Sequence, residues 1–203
     1  MSNRNTKKYW DDKYVEMIDQ SMIRSDGDHL NKFLPEFEKA DSILDFGGGL
    51  GGNVRHLSSF LENKRFLLVD HSETALQYAS EKYLGKNDER GNTFVFLTNL
   101  SRLEPASIDF ILSIEVLEHI TDYRNILDKF WELLKPEGKL LISVPVKGWR
   151  DRNREHVNKF TVKKMFEILS EYSEIVQISE RTRSKRSGIL STAYFLISKE
   201  RGN

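Results

Sequence analysis

Ile43-Leu44-Asp45-Phe46-Gly47-Gly48-Gly49-Leu50-Gly51-Gly52 decides the reading of this chain. A short apolar, strand-like run carries an acid near its end, a glycine loop follows, and Asn53-Val54-Arg55-His56-Leu57 continues as a helix. A strand running through glycines into a helix brings bare backbone N–H groups and a helix start close to a ligand, as nucleotide-type cofactor sites do. Two glycine patterns overlap here. Asp45, Gly47, Gly49 and Gly51 make D-x-G-x-G-x-G, while Gly47, Gly49 and Gly52 satisfy the G-x-G-x-x-G of dinucleotide sites. The acid separates them, because a carboxylate at Asp45 suits a cationic or amine-bearing ligand better than a pyrophosphate.

Asp70 is the second landmark. It ends the run Phe66-Leu67-Leu68-Val69, where a carboxylate can accept two hydrogen bonds from vicinal ribose hydroxyls. Further strand-like runs fall at 42–46, 65–70, 93–97, 108–114 and 139–144, with helix-like runs at 52–61, 73–83 and 122–134 between them. Lys135-Pro136-Glu137-Gly138 reads as the turn that stops the last of these helices. Strands alternating with helices predict a parallel sheet covered on both faces. After a helix at 161–172, the runs 174–180 and 190–199 have only a polar loop between them, so they must pair as an antiparallel hairpin. The expected fold is therefore α/β: a three-layer, Rossmann-like, doubly wound sheet of seven strands, one of them antiparallel near the C-terminus. Upstream, a helix at 7–20 carries Tyr9, Trp10 and Tyr14, and a second at 28–38 is weakened by Pro35.

The chain has 203 residues, 38% hydrophobic and 31% charged, and no cysteine. That predicts one domain with a real core, and it excludes disulfides, thiolate metal sites and a cysteine nucleophile. No apolar run approaches the ~20 residues that span a bilayer, and the N-terminus lacks a signal-peptide core, so a cytoplasmic location is expected. Net charge is zero but uneven. Residues 146–186 hold eleven Lys/Arg against six Asp/Glu, a surplus of +5 that the remainder balances at −5. In a parallel sheet the ligand lies beyond the strand carboxyl ends. The loops after Phe46, Asp70, Leu97, Ile114 and Val144, and the basic segments 147–154 and 181–186, should therefore share one edge. That points to an anionic partner or substrate at this edge, against the plainer reading of two solvated loops.

These motifs, in this order, resemble those of the class I S-adenosylmethionine-dependent methyltransferases of the small-molecule type. The matching stretches are Ile43–Gly52, Leu67–Ser72 with Asp70, Ile108–Ile120, and Leu133–Pro145. The resemblance implies S-adenosyl-L-methionine as cofactor and S-adenosyl-L-homocysteine as product. It implies that the loop around Asp45, Gly47, Gly48, Gly49 and Gly51 packs on the methionine moiety and that Asp70 holds the ribose. His71 then stacks near the adenine, Asn99 and Leu100 sit by its edge, and Ile114 and Glu115 lie beneath the cofactor. The family often has Asp where this chain has Asn99; an amide can both donate and accept. The same resemblance divides the single domain into an N-terminal helical lid (1–38), with Tyr9 and Trp10 over the cofactor, a cofactor core (40–145), and a substrate-facing loop, helix and hairpin (146–203).

Ile114-Glu115-Val116-Leu117-Glu118-His119-Ile120 places two acids and a histidine at i, i+3 and i+4, one face of a helical turn. His119 is a candidate base for a hydroxyl acceptor. Glu115, Glu118 and His119, joined by His156, are the candidate ligands if a divalent metal binds, and E-x-x-E-H resembles metal-dependent members of the family; no metal is the favoured reading. Arg154-Glu155-His156-Val157-Asn158-Lys159-Phe160-Thr161 resembles segments that close over small-molecule acceptors, which makes His156 the second candidate base, with Thr161 as helix cap. The expected activity is O-methylation of a small anionic acceptor, without membrane insertion or nucleic-acid binding. The alternatives are a metal-assisted RNA 2′-O-methyltransferase and a catalytically inactive cofactor-binding regulator.

Overall fold

The chain is described by a computed structural model over residues 5–23, 25–82, 89–147, 151–182 and 190–200. Ile43 and Leu44 show how the layers arise. Neighbouring strand residues point to opposite faces, and both are fully buried, each in a different hydrophobic cluster. A strand buried on both sides needs a cover on both sides.

In chain order the elements are α1 (Lys7–Asp19), α2 (Gly27–Leu30), α3 (Leu34–Phe37), β1 (Ser42–Phe46), α4 (Gly52–Ser58), β2 (Arg65–Val69), α5 (Glu73–Lys82), β3 (Thr93–Leu97), β4 (Ile108–Ile114), α6 (Tyr123–Leu133), β5 (Leu134–Pro145), α7 (Val162–Leu169), β6 (Ile175–Thr182) and β7 (Leu190–Ser198). The sheet runs β3-β2-β1-β4-β5-β7-β6, with β7 antiparallel to both neighbours and the other pairs parallel. The expected doubly wound sheet is thus observed. Its single antiparallel strand lies one place in from the edge, and β6 returns parallel to the rest. One cluster packs Leu44, Leu67, Ile111, Leu140 and Phe195 against α6 and α7 residues such as Phe130 and Met165. The other packs Ile43, Phe66, Phe110 and Tyr194 against Leu30, Phe33, Phe37, Val54 and Leu76. Among the described residues no helix is long and apolar enough to cross a membrane.

Two expectations need correction. The single helix expected over 28–38 is three short turns, α2, a 3-10 turn at Asn31–Phe33, and α3. Pro35 lies in the first turn of α3, where its missing N–H and fixed φ cost nothing, so the helix restarts there. The turn expected at 135–138 lies within β5 as an irregularity. Glu137 has φ +65°, its N–H donates to the Lys199 carbonyl, and the ladder register shifts between Ile108 and Phe110.

β1, β2 and β3 end in register at Phe46, Val69 and Leu97, and the parallel β4 ends within a residue of them at Ile114, so their loops converge on one edge. α1 lies across that edge and packs on the start of α5 through Tyr14, Leu50 and Ala75.

Candidate functional site

The glycine loop leaves β1 with φ +71° at Gly47 and +52° at Gly49, values that penalise any side chain. At Gly48 the demand is space: a Cβ there would lie 2.2 Å from Leu68 Cδ1 and 2.5 Å from Asp45 Oδ2. Gly51 (φ +78°) is the N-cap of α4 and lies behind the loop.

Asp70 organises this loop. Its Oδ2 accepts from the Gly49 N–H (2.9 Å) and the Tyr14 hydroxyl (3.3 Å), and its Oδ1 from the Ser72 N–H (2.9 Å). Burial raises its pKa, and these hydrogen bonds oppose the rise. Asp45 sits one layer deeper, 1% exposed, and neither of its oxygens has a hydrogen-bond partner among the described residues. Burial, and then the Asp70 charge, push its pKa up to about 8. Asp45 lines neither lobe of the cleft above the loop, and Gly48 packs directly against its carboxyl.

A two-lobed cleft opens above the loop. The larger lobe, about 660 Å³, is lined by Phe46, Asp70, His71, Asn99, Leu100, Val116, His119 and Ile120, and by Asn5, Trp10 and Tyr14 from the N-terminal segment. The smaller, about 270 Å³, is lined by Gly47, Gly48, Gly49, Leu50, Asn53, Asp26, Ile114 and Met17. Tyr14, Gly47 and Glu115 line both, and so form the neck between them. Glu115 holds φ +56°, a strained backbone for a non-glycine residue, with its N–H donating to the Ser143 carbonyl and hydroxyl (both 3.1 Å). Asn99 Oδ1 accepts from the Ser101 N–H (3.0 Å) and hydroxyl (2.5 Å) in a local turn, while its Nδ2 donates to the Thr98 hydroxyl (3.4 Å).

The predicted one-face grouping of Glu115, Glu118 and His119 does not form. Glu115 is kinked away, and only Leu117–His119 make a 3-10 turn. The segment 151–158 docks on this turn: Val157 and Asn158 N–H groups donate to the Glu118 carbonyl, and Asn158 Nδ2 to the Leu117 and Ile120 carbonyls. That docking brings His156 behind His119, ring centroids 4.9 Å apart. His119 lines the larger lobe; His156 lines neither lobe.

The hydrogen bonds assign tautomers. His119 Nδ1 lies 3.2 Å from the Glu155 carbonyl, an obligate acceptor, so Nδ1 carries the proton and Nε2 a lone pair. His156 Nδ1 lies 2.5 Å from Asp151 Oδ2, with the same result. Burial, reinforced by His156, pulls the His119 pKa down to about 4, so the ring is neutral near pH 7. Glu118 is fully buried and neither side-chain oxygen has a hydrogen-bond partner among the described residues; its Oε1 is 3.9 Å from His119 Nε2 and 4.0 Å from His156 Nε2. One ligand atom from each of Glu118, His119 and His156 lies within 4.8 Å of the other two; Glu115 is not in this group.

Tyr14 and Glu155 were missed as site residues. Tyr14 sits one helical turn after Trp10 on the same face, which was the available signal. Glu155 carried none, since its partners lie more than a hundred residues away. Of the basic rim, Arg152, Arg154 and Lys159 are exposed beside the docked segment, while 148–150 and 183–189, with most of the basic hairpin loop, lie outside the described residues.

A methyltransferase-domain family model matches residues 44–140. Over 175 residues the chain is 26% identical to phosphoethanolamine N-methyltransferase 2 of Caenorhabditis elegans, which covers 84% of this chain and 39% of that protein. Over 110 residues it is 28% identical to the ubiquinone biosynthesis O-methyltransferase of Idiomarina loihiensis, covering 53% and 44%. The chain spans less than half the length of these two curated relatives. A SAM-dependent methyltransferase from Aquifex aeolicus shares the fold, with a TM-score of 0.67, 19% identity, and 85% of this chain and 89% of that one covered. Sheet order, glycine loop and strand-end acids define a Rossmann-like methyltransferase fold. The family-model match, the methyltransferase relatives and the shared fold support a class I S-adenosylmethionine-dependent methyltransferase with S-adenosyl-L-methionine as cofactor.

Proposed function

We propose that the chain transfers the sulfonium methyl of S-adenosylmethionine to a hydroxyl of a small anionic acceptor. The adenosine occupies the larger lobe, with Asp70 on the ribose and His71, Asn99 and Leu100 around the base. The methionine tail occupies the smaller lobe over Gly47–Gly49. The sulfonium then sits at the neck by Tyr14 and Glu115, next to His119. The methyl passes by in-line displacement: a C–O bond forms as the C–S bond breaks, S-adenosylhomocysteine leaves, and His119 Nε2 takes the hydroxyl proton. Alignment and exclusion of water supply most of the rate. The observation that carries the reading is His119 on the wall of the cleft, its tautomer set by the Glu155 carbonyl so that Nε2 keeps a lone pair; burial keeps the ring neutral but also makes it a weaker base than a free imidazole. Exposed Arg152 and Arg154 support an anionic acceptor.

S-adenosylhomocysteine release, measured over a panel of phenolic acids, phosphorylated alcohols, phosphoethanolamine and short RNA, tests this. His119→Ala is expected to lower kcat/KM about 10²-fold on a hydroxyl acceptor with cofactor affinity unchanged. Turnover of an amine acceptor only, at equal rates in both proteins, would replace the reading with N-methylation.

One observation favours a second reading. The Nε2 atoms of His119 and His156 converge with the orphaned Glu118 carboxyl, and each histidine's Nδ1 is engaged elsewhere, as at imidazole metal sites; the Asn153 amide, which donates to His156 Nε2 (2.9 Å), would have to give way to a cation. Glu118, His119 and His156 fit a divalent cation, which would supply Lewis-acid polarisation of the acceptor oxygen. Calorimetry with Mn²⁺ or Zn²⁺ should then show one site per chain that Glu118→Gln removes; titration heats equal to buffer dilution would exclude it.

A further inference from the structure

α1 is tied down on both banks of the cleft. On the α5 bank, Asp11 Oδ1 accepts from the Ser72 hydroxyl (2.5 Å), Lys7 pairs with Glu73 (2.7 Å) and the Tyr14 hydroxyl reaches Asp70. On the opposite bank the ties converge on one residue, Glu155. Its Oε1 accepts from the Tyr9 hydroxyl (2.5 Å), its Oε2 from Lys13 Nζ (2.6 Å), and its backbone carbonyl from Asn5 Nδ2 (2.9 Å) and His119 Nδ1 (3.2 Å). Between the banks Trp10 roofs the larger lobe, its ring edge-on to His119 at 5.1 Å and under Lys13 Nζ at 4.5 Å.

We propose that Glu155 is the latch of this strap: the α1–Glu155 contacts must open for the cofactor to enter or leave, and their closing holds His119 in its working position. The inference rests on the reading of the cleft as the cofactor site. Three features make Glu155 a latch rather than one surface pair among many. Its carboxylate is 17% exposed, so its two charge-assisted bonds are partly shielded from water. Both carboxylate oxygens go to the strap and to no other described group. And the same residue's carbonyl sets the His119 tautomer, so strap closure and the acceptor side of the cleft are joined through one point. Glu155 is a positioning residue: it acts on the ligand through α1 and on the acceptor through His119.

The opposite bank is expected to be the hinge. Its ties involve Ser72 and Asp70, adjoining the rigid end of β2, whereas Glu155 belongs to a segment without helix or strand. Opening at Glu155 uncovers the larger lobe and leaves the glycine loop intact.

The test is S-adenosylhomocysteine release by stopped-flow displacement, with melting temperature as a check on folding. Glu155→Ala is expected to raise the release rate about tenfold or more and to raise the acceptor KM, while Glu155→Gln, which keeps one acceptor oxygen, restores part of both. Lys8→Ala, on the same helix but paired among the described residues only with Asp12, should leave both unchanged. Because the chain has no cysteine, Tyr9→Cys with Glu155→Cys can be bridged by a short bismaleimide. Bridged before ligand is added, the protein should take up none; bridged afterwards, it should release none, while the unbridged double variant exchanges freely. Release within twofold of the parent in Glu155→Ala, or free exchange in the bridged protein, would overturn the latch. Absence of binding in the parent itself would instead overturn the reading of the cleft.

Discussion

Asp70→Ala is expected to weaken S-adenosylhomocysteine binding by roughly 10²–10³-fold, the largest loss of any single substitution in the cleft. Two losses combine. Two charge-assisted hydrogen bonds to vicinal hydroxyls contribute about 1.5–3 kcal/mol each. The same carboxylate also anchors the Gly49 N–H and the Tyr14 hydroxyl, so its removal releases the loop and the α1 strap together. Stability should fall as well, by about 1–3 kcal/mol, because Asp70 is 5% exposed and its partners are left unpaired in a buried place. Asp70→Asn separates the effects: it keeps an acceptor for the Gly49 N–H and recovers stability, but without the charge it leaves most of the affinity lost. Calorimetry and thermal melts on both variants read the two losses independently. An affinity within threefold of the parent in Asp70→Ala would refute the ribose assignment.

Asp45 carries the second large expectation, and its sign is opposite for stability. A buried carboxyl without a hydrogen-bond partner among the described residues has a folded pKa of about 8 against an ordinary value of 3.8. The folded chain therefore binds more protons than the unfolded chain between those values. Stability is fully present below about pH 4 for this group and is lost as pH rises through 8. At about 1.36 kcal/mol per pKa unit the loss has a ceiling of roughly 6 kcal/mol. The unliganded protein should melt lower at pH 8.5 than at pH 6. Asp45→Asn should flatten that dependence and raise the melting temperature at pH 8.5. Ligand binding moves the other way. An ionised Asp45 beneath the glycine loop attracts a sulfonium above it, so S-adenosylmethionine should bind more tightly as pH rises from 6 to 8.5, with protons released. Asp45→Asn should lose that gain. A parent protein equally stable at both pH values would remove the premise.

The two acids differ in how far the sequence revealed their settings. Both stand at the ends of apolar strands beside a glycine loop, and that local pattern placed Asp70 in the cleft correctly. The same pattern put Asp45 within reach of a ligand, whereas in the fold it is 1% exposed and lines neither lobe of the cleft. Whether a strand-end side chain faces the cleft or the layer below depends on how the following loop turns, and Gly48 turns back over Asp45. The E-x-x-E-H spacing misled for a similar reason. Helical spacing groups Glu115, Glu118 and His119 only if a helix forms, and β4 instead ends in a kink at Glu115 with positive φ. His156 was legible as a polar residue near the active edge. Its place behind His119 was not, because it follows from a docking contact between the Glu118 carbonyl and N–H groups forty residues later.

The sequence by itself determined the layer order of this protein. Strand alternation, glycine loop, strand-end acids and a terminal hairpin are local patterns, and local patterns are set by backbone sterics and by two-residue or 3.6-residue periodicity. Only the tertiary structure decided what closes the cleft. Tyr14 on Asp70, Glu155 on Tyr9 and Lys13, and the convergence of Glu118, His119 and His156 all join residues far apart in the chain, where no periodicity links one partner to the other. Such contacts exist only once the sheet has brought its loops to a common edge and α1 has crossed it.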